Sequence, residues 1–324
     1  MRNPCAICMV CGSNKLSVMY PVQDTNENVP GKWEIVSCDE CGTGVLCPFP
    51  GDSEITSYYR QVFYNEEGKR FRGWMETLRH MLASLRGATL NKLMPAKGRL
   101  LDFGSGAGHF AAAQSRAGWD VHSVDPYSIA SRNAEACRII DGAFELLYPD
   151  AHFDAVSLWY VIEHLRDPRA AIAELTRVLK PGGIMLLAQQ DFASYQARVF
   201  GPNWLYLDPP RHIWQFTADS LTRLAAQFGL RSIRKSWASI EMGPFCILQS
   251  TLNAILGNHN DLFRFLKNRN LSARENREAE AVRLLPALVS LLLMPFLGVL
   301  ALAVYYVLLA VRSGDVVSIY FCKE

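Results

Sequence analysis

The 324-residue chain is long enough for one large α/β domain with smaller additions, and half of its residues are hydrophobic, so a sizeable core can be buried. Lys and Arg number 33 against 31 Asp and Glu, a formal charge of +2 with no block of like sign, which argues against nucleic acid as the main partner. The opening MRNPCAICMVCG has no apolar run before a cleavage signal, so no secretory export is expected.

Residues 1–50 are rich in Cys, Gly and Pro and show no helical period, which suits a small metal-stapled module. Four of the nine cysteines form two CxxCG turns, Cys8/Cys11 and Cys38/Cys41. Each turn brings two thiolates to one side, and four thiolates make a closed tetrahedral zinc site that leaves no position for water. Structural zinc is therefore expected at Cys8, Cys11, Cys38 and Cys41. Cys5 offers a competing register with Cys8, Cys47 is spare, and without export metal is favoured over disulfides.

Residues 51–97 read as a linker and an amphipathic helix, because apolar residues recur at three- and four-residue steps from Gly68 to Met94. Residues 98–240 alternate β-rich and helical runs. Strands are predicted at Arg99–Phe103, Trp119–Asp125, Asp154–Tyr160, Gly183–Gln189 and Arg231–Ile240, with helices such as Pro168–Leu179 and Ala218–Phe228. That order predicts βαβ units and a mostly parallel, doubly wound sheet of Rossmann-like type. Residues 241–311 form an apolar, helical insert, and Val316–Cys322 reads as a last strand that returns residues 312–324 to the same domain.

The most informative run is LDFGSGAGHF, residues 101–110 with Leu100 before it, in which an apolar strand ends in a GxGxG turn that opens a helix. Glycines allow the sharp turn and the close approach of a ligand, and the first N–H groups of the helix face that ligand. Asp125 closes the next strand, where a carboxylate can accept both hydroxyls of a ribose. A nicotinamide-binding turn would place a glycine where His109 stands. A tight strand–helix turn with no ligand is the bland alternative. The acid at the next strand end favours a nucleoside.

With VHSVDP (121–126), FDAVSLWYVIEHLRDP (153–168), LTRVLKPGG (175–183) and PPRHIWQFTADSL (209–221) following in order, the chain resembles class I S-adenosylmethionine-dependent methyltransferases. It is most similar to the group that includes polyprenyl-quinone, small-molecule and glycan methyltransferases. The resemblance covers 98–240 and the closing strand, outside the cysteine module and the insert. It implies a seven-stranded sheet with the last strand antiparallel beside Arg231–Ile240. It also implies that Asp102, Gly104, Ser105, Gly106 and Gly108 hold the methionine end of S-adenosylmethionine, Asp125 its ribose, and the carbonyls near Leu158 and Trp159 its amino group. The adenine would lie against the turn Asp141–Phe144, which contains Gly142 and Ala143.

Methyl transfer requires alignment of the acceptor and, where the acceptor must lose a proton, a base. His164 follows the fourth strand of the alternation, at the rim where open α/β sheets bind ligands, and His212 lies in the stretch containing Tyr195, Phe200, Trp204, Tyr206 and Trp214. The alternative for His164 is a histidine that fixes the strand–helix turn, the alternative for His212 is a part of a lid over the cofactor, and Glu163 is read as structural. Leu284–Val311 is free of charge between Arg283 and Arg312. One helix of that length would be roughly 40 Å long, enough to cross a bilayer, but would carry the last strand to the wrong side. A re-entrant or interfacial hairpin turning at Pro295–Gly298 is therefore expected, with both ends on the cytoplasmic face. A buried helical pair or a dimer contact is the alternative.

The expectation is a cytoplasmic methyltransferase at the inner face of a membrane, acting on a small-molecule or lipid-linked acceptor such as a quinone precursor or a lipid-linked sugar. Its rivals are a soluble small-molecule or polysaccharide methyltransferase with a dimerising insert, and a catalytically silent cofactor-binding scaffold.

Overall fold

The computed structural model describes residues 3–27, 29–51, 54–55, 85–125, 137–140, 143–239, 242–257, 259–266 and 277–324. The chain opens with strands β1 (Leu16–Val22), β2 (Trp33–Cys38) and β3 (Gly44–Cys47). The helix expected over Gly68–Met94 lies largely outside the described residues, and its end is α1 (Ala88–Leu93). Then come β4 (Arg99–Phe103), α2 (His109–Arg116), β5 (Asp120–Val124), β6 (Cys137–Ile140), β7 (Ala143–Leu146), β8 (Phe153–Trp159), α3 (Pro168–Val178) and β9 (Leu179–Gln190). They are followed by α4 (Tyr195–Phe200), β10 (Trp214–Gln215), α5 (Ala218–Ala226) and β11 (Leu230–Ser236). The chain ends with α6 (Gly243–Leu256), α7 (Asp261–Leu266), α8 (Arg277–Ala310) and β12 (Val316–Lys323).

The central sheet is six-stranded, in the order β11-β12-β9-β8-β4-β5. β5, β4, β8 and β9 run parallel, and β12 is antiparallel to both of its neighbours, β9 and β11. Alternation along the strands sends Leu100, Ala155, Ile184, Leu186 and Tyr320 to one face, against Leu90 of α1 and Phe110 of α2. Leu101, Phe103, Val156, Leu158, Met185 and Leu187 face the other side with Ile172 and Leu175 of α3. α3 starts cleanly because Asp167 accepts from Ala170 N at 2.9 Å and Pro168 occupies a first-turn position that needs no N–H donor. The seven strands implied by resemblance become six among the described residues. β6 pairs with β7 in a separate hairpin and not with the sheet edge.

The cysteine-rich segment does not form its sheet alone. Its order is β1-β2-β3-β10, and the fourth strand comes from the far side of the chain, with Trp214 opposite Val45 and Gln215 opposite Gly44.

The expected hairpin at Pro295–Gly298 is not formed. α8 is one helix of 34 residues that runs through Pro286 and Pro295. Its apolar stretch Leu285–Ala310 meets neighbours on one side, and there Ala301, Tyr305 and Leu308 pack with Ile247, Leu248 and Leu252 of α6 and Leu262 of α7. A Cβ at Gly298 would meet nothing, so no turn uses that glycine. The tail is not carried away from the sheet, because the second half of α8 is docked on the domain. Tyr305 packs so closely on Gly243 that a side chain there would collide with its ring, and its hydroxyl accepts from Ser239 N at 2.8 Å. Ser313 then accepts from Tyr195 N, and β12 enters the sheet directly.

Candidate functional site

The glycine loop at the end of β4 is built by positive φ at Gly104 (74°), Gly106 (54°) and Gly108 (76°). A Cβ at Gly104 would collide with Val161, whereas one at Gly108 would point into open space. Gly104 N donates to Val124 O at 2.7 Å and Gly106 N to Asp125 Oδ2 at 2.8 Å, so the loop is moored to the end of β5. Gly108 N donates to Ser105 O at 2.9 Å and closes the turn. Asp102 is buried beneath it. Its Oδ1 accepts from Ser157 Oγ at 2.9 Å, and Oδ2 has no hydrogen-bond partner among the described residues. Burial pushes its carboxyl up to about 7.

Leu158 is fully buried in β8, so only its backbone could serve a ligand. Trp159 packs on Phe110 with ring centroids 5.4 Å apart, and its buried indole N–H has no partner among the described residues. Arg86, which the sequence patterns did not single out, lies over Trp159 at 5.4 Å and adds positive potential near Asp102. Gly142 lies outside the described residues. Ala143 opens β7 opposite Ile140.

The structure brings His164 and His212 together, their ring centroids 4.7 Å apart. His164 sits on a short 3₁₀ turn, Ile162–His164, that begins directly after the Val161 side chain closing Gly104, so glycine loop and histidine pair share one rim. His164 Nδ1 lies 2.9 Å from Arg211 O, and His212 Nδ1 lies 2.6 Å from Tyr206 O. A carbonyl only accepts, so in each neutral imidazole the proton sits on Nδ1 and the lone pair on Nε2. One carboxylate oxygen of Glu163 and a ring nitrogen from each histidine lie within 4.8 Å of one another. Glu163 is 1% exposed, and burial pushes its carboxyl up to about 8 despite the Gln190 side chain, so it keeps its proton at neutral pH.

A buried ion cluster underlies His212. Arg211, 3% exposed, grips Asp24 through two hydrogen bonds of 2.8 and 3.1 Å and reaches Asp208 Oδ2 at 3.1 Å. Burial would raise the Asp208 carboxyl, but the adjacent Arg211 charge holds it well below the usual carboxylate range. Neither Asp24 nor Asp208 belongs to any motif, and their pairing with Arg211 spans 187 residues for Asp24.

In the cysteine module the four predicted sulfurs lie within 4.8 Å of one another, with Cys8–Cys41 and Cys11–Cys38 contacts of 3.5 Å. Tetrahedral zinc with bonds of about 2.3 Å would set sulfurs about 3.8 Å apart, which this set fits. The two turns match: Gly12 N donates to Cys8 O and Gly42 N to Cys38 O, both glycines at positive φ. Contact with Cys8 pushes the Cys41 thiol down to about 4 and holds the proton on Cys8, a crowding that a cation would relieve. Cys5 and Cys47, read as a competing register and a spare thiol, form a disulfide. The end of β3 brings Cys47 to a Cα–Cα distance of 6.0 Å from Cys5, which removes Cys5 from the ligand choice.

A family described as a methyltransferase domain matches residues 68–235, more than half of the chain, and the chain belongs to that family. It is an S-adenosylmethionine-dependent methyltransferase. It is 31% identical over 177 residues to a ubiquinone biosynthesis O-methyltransferase of Dinoroseobacter shibae, covering 50% of this chain and 71% of that protein. A demethylmenaquinone methyltransferase of Renibacterium salmoninarum is 31% identical over 109 residues, 32% of this chain and 44% of that protein. Of two further ubiquinone biosynthesis O-methyltransferases, from Cereibacter sphaeroides and Rhodopseudomonas palustris, the chain spans 64% and 55%. Among solved structures, the 1,6-didemethyltoxoflavin-N1-methyltransferase of Burkholderia thailandensis is similar at 16% identity and a TM-score of 0.42, covering 68% of this chain and 91% of that one.

Proposed function

We propose that the chain methylates an acceptor carried at the cytoplasmic surface of a membrane, a quinone precursor or a lipid-linked sugar, with His212 as general base. The observation that carries this reading is the shared rim, where the open glycine loop and the histidine pair are joined through Val161. S-Adenosylmethionine supplies a methyl group on an electrophilic sulfonium. The chain's own part is to hold that cofactor, to orient the acceptor and to take a proton at His212 Nε2. Asp102 Oδ2, the Trp159 indole N–H, the loop Gly104–Ser105–Gly106–Gly108 and Asp125 are suited to the polar groups of the cofactor's methionine and ribose. Leu158 would contribute its carbonyl, and Gly142 and Ala143 would flank the adenine. Quinone chemistry is supported by the names of the relatives.

Attachment to the membrane is supported by α8. Opposite its packed face, Leu285, Leu288, Leu292, Phe296, Val299 and Val307 are exposed at helical spacing over most of its length. Because Ala301, Tyr305 and Leu308 pack on α6 and α7 and the chain returns directly to β12 in the sheet, α8 is assigned to the interface, with this stripe in the headgroup–acyl boundary. Arg312, just beyond the stripe, and Arg234 line a groove beside it and suit anionic headgroups.

Purified protein incubated with labelled S-adenosylmethionine and fractionated membrane lipids is expected to transfer label to a lipid-soluble product and to release S-adenosylhomocysteine. Cofactor binding without turnover in any fraction would leave a silent scaffold. The Asp125→Ala variant should fold and weaken cofactor binding by a few kcal/mol at most. Unchanged affinity by calorimetry removes Asp125 from the site.

A further inference from the structure

The loop that carries His212 is tied to the N-terminal sheet by backbone and by charge. Leu46 N donates to Ile213 O at 2.9 Å, immediately before Trp214–Gln215 pairs with β3 as the fourth strand. One residue before His212, Arg211 is held by Asp24 from the turn that follows β1. Asp24 itself cannot swing away. Its Oδ1 accepts from the backbone N–H groups of Asn26 and Glu27 at 2.9 and 3.0 Å, and its Oδ2 from that of Val29 at 2.9 Å. Asn26 in turn donates to Asp208.

We infer that Asp24 is a positioning residue for the acceptor site, fixing Arg211 and through it Asp208 and both histidines, so that the cysteine-rich segment is a working part of the methyltransferase. This rests on the reading of His212 as the base. The orientation argument is direct. The carbonyl of Arg211 receives His164 Nδ1, and the Arg211 side chain fixes Asp208, whose Oδ2 lies 3.9 Å from His212 Nε2. A shift of Arg211 therefore disturbs both rings together.

The charge argument points the same way. His212 is faced by Asp208 and Arg211 from its own loop and by Glu163 and His164 from the turn after β8, with Asp24 reaching the cluster from the N-terminal segment. Two carboxylates against one guanidinium leave one uncompensated negative charge buried beside the imidazole, and Glu163 is uncharged at neutral pH. That excess stabilises the imidazolium His212 becomes on accepting a proton. A buried ion pair is often matched in stability by apolar residues of similar volume, so the effect of this one is geometric and electrostatic.

The test uses the 324-residue protein purified without chelator, with S-adenosylhomocysteine bound, its histidines labelled with ¹³C at Cε1 and the His212 signal assigned with His212→Gln. Asp24→Asn keeps the volume and removes the charge. It is expected to lower the pH at which His212 titrates by about one unit, with calorimetric affinity for S-adenosylmethionine unchanged. Asp24→Glu keeps the charge and is expected to restore the wild-type midpoint while still lowering methyl transfer to a membrane-lipid extract. It also serves should Asp24→Asn fail to fold. A folded Asp24→Asn protein with an unmoved midpoint overturns the inference, as does an Asp24→Glu protein with full wild-type methyl transfer or with a midpoint about one unit below wild type. Full methyl transfer by His212→Gln would defeat the base reading alone and leave the titration result standing.

Discussion

Glu163 occupies a position where a carboxylate is costly. It is buried beside two imidazoles, its oxygens have no hydrogen-bond partner of normal geometry among the described residues, and its carboxyl is pushed up to about 8. The folded protein therefore holds a proton there that the unfolded chain releases near the ordinary glutamate range. Between that range and pH 8 the native state binds more protons than the unfolded one, so this residue's contribution to stability falls as pH rises. The slope is at most about 1.4 kcal/mol per pH unit for a single group. Glu163→Gln, isosteric and neutral, is expected to flatten the pH dependence, gaining on wild type at pH 8 and matching it near pH 5. Urea midpoints at the two pH values would show this, and parallel curves would mean that Glu163 is ionised. No motif reveals the shift, because it arises from burial. The chemical types of His164 and His212 were legible, but their pairing was not, because the two rings meet from distant turns of the chain.

At the scale of elements, α8 shows how composition can give the apolar character of a segment and the wrong shape. Proline and glycine near the middle of the apolar run suggested a turn, since proline removes a helical hydrogen bond. Packing against α6 and α7 keeps the helix continuous instead, and the tail still reaches its place between β9 and β11. Replacing Leu292, Phe296 and Val299 together by serine alters only exposed positions. That variant is expected to lose most of its co-sedimentation with anionic vesicles while binding S-adenosylmethionine as before. Retained co-sedimentation would count against the stripe as the anchor, and a dimer that dissociates in the variant would point to a protein contact in its place.

At the scale of the whole molecule, the cysteine cluster and the histidine pair belong to one connected body, because β10 is shared between the N-terminal sheet and the loop beside His212. Elemental analysis of protein purified without chelator is expected to find one zinc per chain, lost when Cys38 is replaced by serine. Binding energy at a structural zinc site is folding energy. Metal removal should therefore speed hydrogen exchange first in β3 and then in residues 211–216, ahead of the central sheet. Zinc-free protein with unchanged exchange at 211–216 would show that the two regions are independent.

The alternation of β4, α2, β5, β8, α3, β9, α5 and β11, the glycine loop with Asp125, the four converging cysteines and the closing strand were determined by local pattern, whereas the hairpin β6–β7 and the short β10 were not. Strand periodicity, turn glycines and ligand spacing are written in consecutive residues. Only the tertiary structure decided that Cys5 and Cys47 are bonded, that α8 is unbroken, that β10 completes a foreign sheet, and that Asp24 meets Arg211. Each of these depends on groups brought together by the packing of distant segments, and on burial that strengthens their charges. Neither leaves a trace in the spacing of neighbouring residues.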